Sequence, residues 1–146
     1  MNDGAETRAL RLLAEDADDL AVISAALQDA VTRIGDIQFE PRGRRLTLAF
    51  NRFRWEAEEE AGERVRAGLQ LGGVLAVKAR NLRREAADAV LELLALSFEA
   101  GEAPGGRITF AFAAGGDLAV EVECIDAALA DLSAPWPCPR TPDHEG

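Results

Sequence analysis

Arg45-Leu46-Thr47-Leu48-Ala49-Phe50 and Arg107-Ile108-Thr109-Phe110-Ala111-Phe112 read almost as copies of one another. Each follows a Phe-Glu stretch, Ile37-Gln38-Phe39-Glu40 in one case and Leu96-Ser97-Phe98-Glu99 in the other. Apolar residues alternate through all four blocks, which is the period of a half-buried strand. Between the blocks lie Pro41-Arg42-Gly43-Arg44 and the longer Ala100-Gly101-Glu102-Ala103-Pro104-Gly105-Gly106. Pro pre-sets φ and Gly permits positive φ, so both read as turns. The chain therefore predicts one hairpin twice.

Upstream of the first hairpin, Leu10-Arg11-Leu12-Leu13 is a short strand candidate. Asp16 or Asp18 can cap a helix, with Asp19 favourable in its first turn. Leu20, Ile23, Leu27, Val31 and Ile34 follow at helical spacing until Gly35, predicting a helix near 18–33. Upstream of the second hairpin, residues 84–93 have helical propensity. By analogy with the first unit they are expected to form a short helix, followed by a strand at Leu94–Glu99. Val65, Ala67, Leu69 and Leu71 alternate, Gly72-Gly73 reads as a tight hairpin turn, and Val74–Arg80 as its partner. Strands at 107–113 and 117–124 flank Gly115-Gly116. Ile125, Leu129 and Leu132 suit a short amphipathic helix near 125–132.

The expected fold is α+β: a mainly antiparallel sheet curled into a barrel or roll, built from two β-α-β-β-β repeats at 9–71 and 74–124. The alternative is one barrel capped by the helix near 125–132, similar in element order to pleckstrin-homology-like folds. A single domain is expected over 9–133, since 146 residues suffice for one real core. Pro135, Pro137, Pro139 and Pro142 mark 134–146 as a flexible tail.

Asp18-Asp19-Leu20-Ala21-Val22-Ile23-Ser24, Asn51-Arg52-Phe53-Arg54-Trp55-Glu56, Gly62-Glu63-Arg64, Glu102-Ala103-Pro104-Gly105-Gly106 and Val122-Glu123-Cys124-Ile125 stand together in this chain. With them it resembles the alphaproteobacterial domain-of-unknown-function family 2948 over about residues 10–133. The resemblance implies a bacterial cytoplasmic protein and supplies no catalytic residue, cofactor or substrate.

Net charge is −10, which argues against non-specific nucleic-acid binding by the whole molecule. The charge is segregated. Residues 41–54 hold five arginines and no acid, 55–63 five glutamates and no base, and 64–84 six bases and no acid. There is no apolar run long enough to span a membrane. The acidic N-terminus lacks the basic region of a secretory signal. Cys124 and Cys138 have no metal-type or redox-type spacing, so a reduced cytoplasmic setting is expected.

The chemistry of common enzymes is missing from the motifs. The one histidine, His144, sits in the Pro-rich tail, away from any triad or zinc arrangement. There is no Gly-x-Ser-x-Gly elbow, and the glycine pairs lack the Lys-Ser/Thr of a phosphate loop. Glu56, Glu58, Glu59, Glu60 and Glu63 match no calcium loop and read as a charged connection. No metal or cofactor is expected. Cys124, in phase with Leu118, Val120 and Val122, is expected as a buried thiol.

One constellation has binding chemistry: Arg42, Arg44, Arg45, Arg52 and Arg54 with Phe53 and Trp55. Guanidinium forks match carboxylate and phosphate, and Trp offers a stacking face. The competing reading places the aromatics in the core and pairs the arginines with glutamates. From Phe50 to Phe53 the apolar phase shifts, which demands a bulge, a bend or burial on both faces. Three functions follow. The first is a non-enzymatic binding or scaffold protein acting through a protein partner or self-association at an open sheet edge. The second is an anion- or RNA-binding module at 42–55. The third is a carboxylate/arginine enzyme with a buried acid in a pocket.

Overall fold

The computed structural model of the chain describes residues 9–55 and 63–137. They form eleven strands and one α-helix. In chain order these are β1 (Arg11–Ala14), α1 (Ala17–Ala26), β2 (Val31–Arg33), β3 (Ile37–Glu40), β4 (Arg45–Phe53), β5 (Glu63–Leu71), β6 (Val74–Arg80), β7 (Val90–Ala100), β8 (Gly106–Phe112), β9 (Asp117–Val122), β10 (Ala127–Asp131) and β11 (Trp136–Pro137). Short 3-10 turns follow β2 and β8. The sheet order is β1-β10-β5-β4-β2-β7-β8-β9-β6, with β3 beside β4 and β11 beside β5. Every pairing is antiparallel.

Both Phe-Glu hairpins form as their alternation predicts. Phe39 opposes Leu46 and Glu40 opposes Arg45; Phe98 opposes Ile108 and Glu99 opposes Arg107. Inward residues Leu46, Leu48 and Phe50 of β4 and Ile108, Phe110 and Phe112 of β8 join one apolar cluster with Leu20, Ile23 and Leu27. Each such aliphatic or aromatic side chain contributes roughly 1.5–3 kcal/mol on burial. The Asp16 carboxylate accepts from the Asp19 amide at 2.8 Å and caps α1.

The fold class differs from the expectation. The chain is a nearly all-β open sheet, not an α+β barrel or roll. The helix expected at 18–33 ends after Ala26, and Val31–Arg33 is strand β2, inserted between β4 and β7. Residues 84–93 hold no helix. Two successive turns, with Ala86 bonding back to Arg83 and Ala89 to Ala86, lead into β7. The tertiary partners of β7 outweigh the local propensity. Residues 125–132 carry strand β10 instead of a helix. Ile125, Leu129 and Leu132 fit period 3.6, but Ala127, Leu129 and Asp131 fit period 2 equally well. The open edge of β5 selects the strand.

Gly72-Gly73 does not close a hairpin. Gly73 takes φ +66°, but β5 pairs with β4 and β10, while β6 pairs with β9. The two connections cross: the Gly72 amide donates to the Asp126 carbonyl at 2.8 Å and the Glu123 amide to the Gly73 carbonyl at 2.9 Å. Strand β6 thus leaves the β3-β4-β5 group to complete β7-β8-β9, and β10 makes the reverse passage. Trp136 and Pro137, expected in a flexible tail, oppose Arg64 and Glu63 as β11. Residues 138–146, with Cys138 and His144, lie outside the described residues. No helix among the described residues is long and apolar enough to cross a membrane.

Candidate functional site

The arginines singled out in the sequence divide between the two ends of β4. Arg42, Arg44 and Arg45 sit at the turn before it; Arg52, Arg54 and Trp55 sit at its far end. Arg44 and Arg52 are eight residues apart, which in extended chain is roughly 26 Å. They do not converge on one ligand.

At the turn, Arg44 pairs with Glu123 and Arg45 lies 3.6 Å from Glu40. Arg42 is exposed. At the far end Arg52 continues the inward phase of Leu46, Leu48 and Phe50 and is fully buried. Its Nε donates to Asp131 Oδ1 at 3.0 Å and its Nη2 to Asp131 Oδ2 at 2.9 Å. Nη1 donates to the Phe53 carbonyl at 2.9 Å. Arg54 is buried and pairs with Glu63. Phe53 faces the other side of the strand and is buried there, the Arg64 guanidinium carbon standing 3.9 Å from its ring centre. The apolar phase shift is thus resolved by burial on both faces. Trp55 is 44% exposed, tilted against Phe53 at 5.7 Å, and its indole donates to the Gln28 carbonyl at 3.3 Å. The sheet end is a clasp of ion pairs with two exposed indoles, Trp55 and, opposite Arg64 on β11, Trp136.

Glu56, Glu58, Glu59 and Glu60 lie outside the described residues; Glu63 is the partner of Arg54. Among the described residues no group of three or more His, Cys, Asp or Glu side chains is placed to hold a metal ion. Cys124, expected in the last strand, lies beyond the end of β9 and is half-buried.

Two concavities lined by described residues bear on the site. One is a polar cleft of about 310 Å³ on the face of β4 opposite the core. Of its two arginines, Arg33 and Arg66, the second is engaged: Arg66 donates to Asn51 Oδ1 at 3.2 Å and to Asp36 Oδ2 at 3.3 Å. The other, about 280 Å³, opens on the core face between β3 and β6. Ile37 and Phe39 line one wall and Val77 and Ala79 the other, with buried Leu46 and Leu118 as its floor. Ile34, Leu82 and Arg84 complete it. Leu82 sits over Gly116, where a Cβ would overlap its side chain.

The cleft follows from the topology. Among the described residues β3 pairs with β4 alone and β6 with β9 alone, so the edges that face each other across the cleft are both unpaired. They approach at one end, where the Val74 amide donates to the Arg44 carbonyl at 2.9 Å, and are unpaired beyond it. The sequence carried a partial signal. Ile37/Phe39 and Val77/Ala79 show the right alternation, and Arg84 closes the acid-free run 64–84. Nothing local showed that β3 and β6 would be neighbours.

The chain belongs to the family described as "protein of unknown function (DUF2948)", which matches residues 10–144. No curated protein and no solved structure matches it.

Proposed function

We propose that this family member is a non-enzymatic binding protein whose binding site is the apolar cleft between β3 and β6. One observation carries the reading: half-buried apolar side chains face each other across about 280 Å³ between two edges that are unpaired among the described residues. Natural sheets usually cover such edges, and small-ligand sites are concave and mainly apolar. The arginines of 42–55, by contrast, are largely engaged within the chain, which weakens the case for an RNA site there.

The test uses the neutral apolar dye N-phenyl-1-naphthylamine. Native protein is expected to enhance its fluorescence, and Ala79→Phe, which fills the cleft, to abolish the enhancement while keeping a cooperative thermal transition. Ala79→Leu is the smaller filling variant should the phenyl ring prevent folding. Dye binding that is absent, or indifferent to both variants, overturns the reading.

A second reading, a polypeptide partner or another copy of this chain adding a strand, rests on the same unpaired edges. Hydrogen exchange separates the two. An added strand slows exchange of the edge amides of β3 and β6, whereas an apolar small molecule leaves them unbonded.

A duplicated origin for the two hairpins is supported by their matching register and by the reciprocal passage of β6 and β10. Superposition of 37–50 on 96–112 that is no closer than that of unrelated hairpins contradicts it. A bacterial cytoplasmic setting fits the family resemblance.

A further inference from the structure

We propose that the ligand of the β3–β6 cleft is an amphipathic carboxylate, an alkyl chain with one acidic head; this rests on the reading of the cleft as the binding site. The side chains that line it are chemically lopsided. Every lining side chain but one is apolar, and that one is Arg84.

The two chemistries are separated by depth. Leu46 and Leu118 at the floor are buried, while Arg84 is exposed to solvent. A ligand filling this space presents hydrocarbon inward and its polar end outward. Its polar end then meets a guanidinium, whose planar fork matches a carboxylate.

Arg84 is available for that role. It has no hydrogen bond or ion pair with any described residue, unlike Arg80 nearby, which donates to Asp117 Oδ2 at 2.6 and 3.1 Å. In sequence Arg83 precedes it and Glu85 follows it, so Arg84 is the one cation among the lining side chains. The volume suits a small amphiphile: about 280 Å³ is slightly below the roughly 300–1,000 Å³ of sites for drug-sized molecules, and a single short chain fits it.

The experiment displaces N-phenyl-1-naphthylamine with octanoate and with 1-octanol, which differ in the head group alone. In the native protein octanoate is expected to compete at a concentration roughly five-fold lower, the order set by a solvent-exposed charge pair. Arg84→Gln should remove that advantage without changing competition by 1-octanol, and Arg84→Lys should restore part of it. Equal competition by the two compounds in the native protein, or an octanoate advantage that survives Arg84→Gln, overturns the carboxylate and leaves the cleft standing. A dye that never binds, or that binds equally to Ala79→Phe, overturns the cleft and the carboxylate together.

Discussion

Arg52 on β4 and Asp131 on β10 form a two-pronged ion pair across the intervening strand β5, with 0% and 3% of their side chains exposed. Asp131 Oδ2 also accepts from the Leu10 amide at 2.8 Å. One carboxylate therefore ties together β4, β10 and the segment entering β1. Two charges taken from water gain little net stability as a pair, but removal of one strands the other.

Asp131→Ala should accordingly be among the most destabilising single changes in the chain, by about 3–5 kcal/mol. The double variant Arg52→Met with Asp131→Asn should recover much of the loss, because Asn keeps an acceptor for the Leu10 amide and no charge remains buried. Urea unfolding of the three proteins checks this. A single variant close to native stability contradicts the clasp.

The crossing at Gly72-Gly73 predicts a specific cross-link. Lys78 opposes Ala119 on the outer face of β6 and β9. With Cys124 and Cys138 replaced by Ser, Lys78→Cys and Ala119→Cys should oxidise to an intramolecular disulfide. Cysteines at 67 and 78, which a simple β5–β6 hairpin would bring together, should remain reduced. Mass spectrometry after mild oxidation reads both.

Gly116→Ala should destabilise the chain by about 1–3 kcal/mol, the range for overpacking. Its φ is −80°, so the cause is space alone: the new methyl meets Leu82 and the Asn81 carbonyl. Because Leu82 lines the cleft, the variant should also weaken binding of the apolar dye. Unchanged dye affinity alongside lower stability would separate Leu82 from the site.

Trp55→Ala should cost less than about 1 kcal/mol, as expected for a partly exposed side chain with one long hydrogen bond, whereas Phe53→Ala should cost about 3–5 kcal/mol. Thermal unfolding of the pair checks the assignment of one ring to the interior and the other to the rim.

The hairpins were legible because their information is local. Ile37/Phe39 against Leu46/Leu48 needs a turn and a phase, and Pro41-Arg42-Gly43 supplies the turn. The start of α1 was legible for the same reason, in Asp16 and the Leu20/Ile23/Leu27 stripe. Partner choice was not legible. Val74–Arg80 alternates acceptably against either β5 or β9, and β5 was already flanked by β4 and β10. The buried clasp did have a signal: Arg52 and Asp131 each stand in the inward phase of their strands, beyond Phe50 and Leu129. A charge in core phase at two strand ends asks for a partner of opposite sign. The cleft had the weakest signal, because it exists only where strands distant in sequence fail to pair.

The most direct test of the cleft is an amide NMR map of the native protein titrated with octanoate. Shifts concentrated in Ile34–Phe39, Val77–Leu82 and Arg84 are predicted. Shifts concentrated instead at Arg52, Arg54 and Trp55, or around Arg33, Asn51 and Arg66, contradict it.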